Sequence, residues 1–193
     1  MQHMLTPHAL AIEPFAWWEG AFSDQQLDWL QDKAKQAEQA AQVGNGRGGA
    51  VNPNIRRSQV SWLKKDADTA WVFEILAGVA AKLNAQNFRF DLTGFGEPMQ
   101  LTNYDQSENG MYGWHQDYGG GISRKLSMAV QLTDPSDYEG GNLQVMTSGQ
   151  PQNVRKQRGI VAVFPSYVLH QVTPVTQGSR QSLVAWVSGP AFR

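Results

Sequence analysis

The segment FPSYVLHQVTPVTQGSRQSLVAWV, residues 164–187, holds two short apolar runs, around 168–173 and 180–187, separated by Thr-Pro and Gln-Gly turn residues. Runs of this length, rich in valine and flanked by turn formers, are strands rather than helices. Alternate residues of a strand face the same way, so Arg180, Ser182, Val184 and Trp186 share one face. The first run carries a histidine, His170, among apolar neighbours.

The same texture extends upstream. Period-two or β-branched segments at 88–95, 98–105, 111–116, 124–132, 142–147 and 159–164 are separated by Gly, Pro, Asn and Asp. Eight short strands with no helical pattern among them predict a sandwich or barrel, not an alternating βαβ sheet. The N-terminal part differs. SDQQLDWLQDKAKQAEQAAQV, residues 23–43, opens with a capping box (Ser23 with Gln26) and spaces Leu27, Leu30, Ala34, Ala37 and Ala41 along one helical face. A second helix is predicted over 67–86, with Trp71, Val72, Ile75, Leu76, Val79 and Leu83 as its buried stripe. Between them lie a Gly/Asn-rich loop, 44–54, and a strand, IRRSQVSWL.

Composition narrows the function. Hydrophobic residues make up 41% and charged residues 17%, which describes a globular chain able to bury a core. A net charge of -1 offers nothing to nucleic acid or an anionic membrane. With no cysteine, any metal must be held by His, Asp or Glu. No segment has a signal peptide's pattern or an apolar run of membrane-spanning length, so a cytoplasmic location is expected. His3 and His8 fall in an expected N-terminal tail, residues 1–14.

That leaves two histidines. His115 and Asp117, in YGWHQDYGGG (112–121), are two apart and present imidazole and carboxylate to one point if the chain stays extended. Four histidines and ten aspartates in 193 residues produce roughly 0.2 such tripeptides by chance, so the motif alone is weak. His170, 53 residues later, is placed to meet them if the sheet folds back. Two imidazoles and a carboxylate on one face of an octahedral ion form the facial triad of non-haem Fe(II) oxygenases. Arg180 adds a planar fork suited to a carboxylate.

Taken together, Tyr104, His115-x-Asp117, the EGGNLQV strand, and the distal segment with His170 and Arg180 resemble the Fe(II)- and 2-oxoglutarate-dependent oxygenases, most closely the prolyl 4-hydroxylase-like branch. The resemblance spans roughly residues 55–190. It implies a mainly β fold, a double-stranded β-helix (jelly-roll) core at 88–193 with helical support at 15–87, in one oxygenase domain. It also implies roles: His115, Asp117 and His170 as catalytic iron ligands, Arg180 on the distal carboxylate of 2-oxoglutarate, and Tyr104 facing that cosubstrate. Gln131 stands where some relatives place a second tyrosine, and Ser182 is a substitute for the hydrogen bond so lost. The implied cofactors are Fe(II), 2-oxoglutarate, O2 and ascorbate, with release of succinate and CO2. The implied substrate is a prolyl or similar residue of a peptide or protein, with a free amino acid or other small molecule as the alternative.

Loops 44–57 and 104–113 and the glycines 119–121 are expected to border the substrate groove. Arg56 and Arg57, adjacent in a strand, should split, with one facing out; either would suit an acidic substrate. Tyr112, Trp114, Tyr118 and Trp186 are candidates for the pocket wall, whereas Trp17, Trp18, Trp29, Trp62 and Trp71 read as packing residues. An oxygenase for alkylated bases would carry a second arginine six residues after Arg180, where this chain has Trp186. A non-catalytic jelly-roll module needs none of the triad, and a cupin-type enzyme has no use for Arg180.

Overall fold

A computed structural model describes residues 14–43, 49–118, 121 and 123–191. His3, His8, Gly119, Gly120 and residues 44–48 of the 44–54 loop lie outside the described residues. The elements in chain order are β1 (Ala16–Trp18), α1 (Asp24–Lys35), β2 (Gln39–Ala40), β3 (Arg56–Arg57), β4 (Gln59–Leu63), α2 (Ala70–Leu83), β5 (Gly94–Phe95), β6 (Met99–Asp105), β7 (Met111–His115), β8 (Arg124–Gln131), β9 (Tyr138–Gly140), β10 (Leu143–Thr147), β11 (Gln150–Asn153), β12 (Val161–Pro165), β13 (His170–Val172) and β14 (Val175–Ser188). They form the two sheets of a jelly roll. The larger runs β1-β12-β8-β14-β6-β4-β2, with β5 and β9 bonded to opposite ends of β14; the smaller runs β11-β10-β13-β7-β3.

The larger sheet is covered on both faces. On β8, Leu126, Met128 and Val130 join a core with Leu27 and Leu30 of α1 and Val72, Leu76 and Val79 of α2. Each such side chain, fully buried, contributes about 1.5–3 kcal/mol. The alternate residues turn to the other face, where Ala129, Phe164 and Tyr104 meet Leu143, Val145 and Val172 of the smaller sheet. The helices therefore brace one sheet from outside, and the space between the two sheets is left for a site.

The expected strands from 98 onward are found within a few residues, except that β14 begins at Val175, ahead of Arg180. The capping box is present: Gln26 N–H donates to Ser23 Oγ, and Ser23 N–H to Gln26 Oε1. Two expectations fail. The first helix stops at Lys35; Ala37 and Ala41 are buried, but the chain between them is β2, pairing with β4 at the sheet edge. Apolar spacing suited to a helix can equally serve a chain lying on the same core. The strand expected at 88–95 is also absent apart from β5. Residues Asn84–Phe88 form a π-helical turn, Arg89 is left-handed (φ 57°), and the Asn84 side chain brackets Phe90 with two hydrogen bonds. Phe88, Phe90 and Leu92 alternate because they pack against the helical core, not because they join a ladder. Among the described residues, no helix is long and apolar enough to cross a membrane.

Candidate active site

His115 ends β7 and His170 begins β13, and antiparallel pairing sets the two directly opposite. Beyond β7, the Asp117 and Tyr118 N–H groups both donate to Ser166 O, folding the carboxylate back between the imidazoles. His115 Nε2 lies 3.7 Å from Asp117 Oδ1, and His170 Nε2 lies 3.4 Å from Asp117 Oδ2. One ligand atom from each of the three residues falls within 4.8 Å of the others, the only such metal-competent cluster among the described residues.

The ring orientations are held from behind. His115 Nδ1–H donates to Gly113 O at 2.8 Å and His170 Nδ1–H to Val168 O at 3.0 Å, which leaves each Nε2 lone pair facing the centre. Ser127 Oγ donates to Asp117 Oδ2 at 2.7 Å and lies 3.0 Å from Ser166 Oγ. Tyr112 stacks on His115 with ring centroids 3.5 Å apart, and Phe164 lies 4.7 Å from His170.

The electrostatics suit a cation. Burial, then the charge of His170, push His115 down to about 3, so its imidazole is neutral at physiological pH. Burial drives the Asp117 carboxyl up, but His170, His115 and the Ser127 hydrogen bond together hold it well below the usual carboxylate range. Burial lowers His170, and Asp117 more than offsets this, so its value is raised. Burial lifts the Tyr112 phenol to about 12, keeping its proton in place.

The trio opens into a cavity of about 330 Å³ between the sheets, lined also by Arg56, Trp62, Gln100, Tyr104, Arg180, Ser182 and Trp186 among others. The face expected for β14 is the face observed: Arg180, Ser182, Val184 and Trp186 all line it. Arg180 is 2% exposed. Its Nη2 donates to Gln131 Oε1 at 2.9 Å, its guanidinium lies 5.5 Å from the Tyr104 ring, and its Nε and Nη1 have no hydrogen-bond partner. Buried N–H groups of a cation without partners call for an anion, and a dicarboxylate such as 2-oxoglutarate fits that requirement. Gln131 sits behind Arg180 and outside the cavity wall; Ser182, opposite Gln131 and Thr102 in register, is on the wall. The glycine pair of EGGNLQV lets the chain pass close by. A Cβ on Gly140 (φ +71°) would stand 2.0 Å from Pro174 O, and one on Gly141 would stand 3.1 Å from Arg180 Cδ.

Several features escaped the sequence. Arg124 is gripped by both carboxylate oxygens of Glu97 at 2.6 Å, lies 4.0 Å over the Trp186 ring and lines the cavity. Ser127, which orients Asp117, had only its place on the inward face of β8 to mark it. Trp62 is not a packing residue: it is 44% exposed and borders the cavity 6.4 Å from Trp186. Of the residues flanking H-x-D, Tyr112 lines the cavity whereas Trp114 and Tyr118 lie outside its wall. The 104–113 hairpin contributes only Tyr104 and Tyr112, while Gln39 and Gln42 beside the Gly/Asn-rich loop, and Gly49 within it, do reach it.

Ser127→Ala is expected to weaken Fe(II) binding about 10–100-fold, as loss of a hydrogen bond behind a ligand does. Anaerobic Fe(II) titration measures this, and Ser127→Thr, which keeps the hydroxyl, should bind nearly as the unaltered protein does.

Comparison with known proteins places this geometry. Residues 99–188 match the family model described as the 2OG-Fe(II) oxygenase superfamily. A PKHD-type hydroxylase of Idiomarina loihiensis is 35% identical over 89 residues, covering 45% of this chain and 40% of its own length. One of Shewanella frigidimarina is 27% identical over 179 residues, 87% of this chain and 72% of its own. The most similar stretches thus span about two fifths of such relatives. Among solved structures, a Pseudomonas putida prolyl-4-hydroxylase superposes with a TM-score of 0.72 at 19% identity over 94% of this chain and 95% of its own. A Trichoplax adhaerens prolyl hydroxylase, in complex with a peptide fragment of hypoxia inducible factor, superposes with 0.75 at 15% identity over 91% and 84%. At those identities the likeness establishes the fold. The resemblance seen in the sequence is borne out.

Proposed function

We propose that this chain, whose triad-bearing segment matches the 2OG-Fe(II) oxygenase superfamily, hydroxylates a prolyl or similar residue of a peptide or protein, consuming 2-oxoglutarate and O2 and releasing succinate and CO2. The observation that carries the reading is one cavity whose wall holds both a His-Asp-His cluster and a buried arginine with two nitrogens, Nε and Nη1, unpaired. His115, Asp117 and His170 would hold Fe(II). With 2-oxoglutarate and O2, the bound iron supplies the oxidising power that breaks an unactivated C–H bond.

The protein's own part is orientation and exclusion. Val168 O and Gly113 O fix the imidazoles, and Ser127 fixes the carboxylate. Arg180, steadied by Gln131, would hold the distal carboxylate of 2-oxoglutarate, with Tyr104 and Ser182 lining the same end. Phe164, Tyr112 and Trp186 present aromatic surface to the same space. Ascorbate enters the proposal on the family resemblance alone. The prolyl and peptidyl assignments are supported by the relatives: the solved neighbours are prolyl hydroxylases, one of them holding a peptide.

Anaerobic protein with Fe(II) and 2-oxoglutarate is expected to develop a metal-to-ligand charge-transfer absorption, and air with a proline-containing peptide library should give succinate and peptides heavier by one oxygen. Neither absorption nor succinate would defeat the enzyme reading. Hydroxylation of free amino acids alone would defeat the peptidyl one.

A further inference from the structure

The cavity contains a second buried arginine that the oxygenase reading leaves without a task. Arg56 of β3 is 7% exposed and lines the wall. Its Nε donates to Ser58 Oγ at 2.9 Å and its Nη2 to Gln100 Oε1 at 2.7 Å, and its guanidinium lies 4.5 Å from the Tyr112 ring, which itself stacks on His115. Every one of these partners is neutral. Among the described residues, Nη1 has no hydrogen bond and no carboxylate pairs with the group. Arg57, by contrast, turns outward onto the carbonyls of Pro53 and Asn109.

Arginines this buried are ordinarily matched by an anion. The three in the cavity differ in this respect. Arg124 is neutralised by Glu97. The charge of Arg180, with Asp117 and Fe(II), would be balanced by the two carboxylates of 2-oxoglutarate. Arg56 alone keeps an uncompensated positive charge, one aromatic ring away from an iron ligand. Tyr112 and the amide of Gln100 hold its fork in place, so no side-chain ordering is left for a ligand to impose.

Resting on the oxygenase reading, we propose that Arg56, with Ser58 and Gln100 as its supports, is a carboxylate subsite for the substrate. The residue to be hydroxylated would then lie beside a carboxylate, supplied either by the chain's own C-terminus or by an acidic side chain next to it. This makes Arg56 a specificity-determining residue.

The test uses the protein loaded anaerobically with Fe(II) and 2-oxoglutarate, and three peptide probes of the frame Gly-Ala-Pro-Ala. One is amidated and neutral, one has a free C-terminal carboxylate, and one is amidated with Glu after the proline. Affinity is read by calorimetry and by the shift of the charge-transfer band. At least one carboxylate probe is expected to bind about tenfold or more tightly than the neutral one, as for a hydrogen-bonded charge pair; which one does so identifies the source. The preference should vanish in Arg56→Gln and be partly kept in Arg56→Lys. Gln100→Glu, which supplies a carboxylate to Arg56 within the protein, should abolish it too without emptying the space. Equal affinities, no binding by either carboxylate probe, or a preference that survives Arg56→Gln and Gln100→Glu would overturn the proposal. The charge-transfer band itself, formed before any peptide is added, reports separately on the oxygenase reading.

Discussion

Arg180→Met should lose 2-oxoglutarate binding while the cofactor-free protein melts no lower than the unaltered one. The two effects have one cause. At 2% exposure with Nε and Nη1 unpaired, Arg180 costs the empty fold desolvation energy that its one hydrogen bond, to Gln131, and the Tyr104 ring return only in part. Replacing even a buried ion pair by apolar side chains of similar volume is often neutral or stabilising by about 1–4 kcal/mol, and a buried charge with no counter-ion has less attraction to lose. Part of that gain is offset, because Gln131 Oε1 loses its donor, at about 1–3 kcal/mol. For the cosubstrate the balance would be reversed: the proposed buried, charge-paired contact would disappear, worth about 3–5 kcal/mol, or roughly 10²- to several 10³-fold in affinity. Calorimetric melting and 2-oxoglutarate titration of the anaerobic Fe(II) protein measure the pair. A variant that melts far lower yet binds 2-oxoglutarate normally would show Arg180 to be a structural residue.

Asp117→Ala should remove stoichiometric Fe(II) binding and reduce succinate formation on the order of 10³-fold or more, given that the ligation is worth several kcal/mol and each 1.36 kcal/mol is tenfold. Asp117 is the only carboxylate in the cluster, and the two imidazoles remaining after its loss cannot form a facial set. Anaerobic iron analysis after gel filtration measures occupancy directly. Retention of one Fe(II) per chain with normal turnover would mean that the metal lies elsewhere.

The site was legible wherever chemistry and local geometry coincide. A strand's period of two joins His115 to Asp117 and aligns Arg180, Ser182, Val184 and Trp186, so those groupings are visible in the letters alone. Arg124 and Ser127 were not visible for an opposite reason. An arginine opening a strand and a serine within one are ordinary surface and packing residues until a partner is known, and the partners, Glu97 and Asp117, come from 27 and 10 residues away. Trp62 was misjudged similarly: large aromatics usually fill cores, but the inward face of β4 fronts a cavity. The helix expected to reach residue 43 and the strand expected at 88–95 failed because apolar spacing records only which residues must be buried. The hydrogen bonds that satisfy the intervening backbone are chosen by neighbours distant in the chain.

The sequence by itself determined the class of fold and the strand faces, through its period-two segments, and limited any metal ligands to His, Asp and Glu, through its lack of cysteine. Only the tertiary structure decided that His170 stands opposite His115, that Arg180 is left with unpaired N–H groups, and that Arg56 turns inward while Arg57 turns out. Those facts depend on strand register and on which sheet covers which face. Register is fixed by the burial of many residues at once, so no single stretch of the chain contains it.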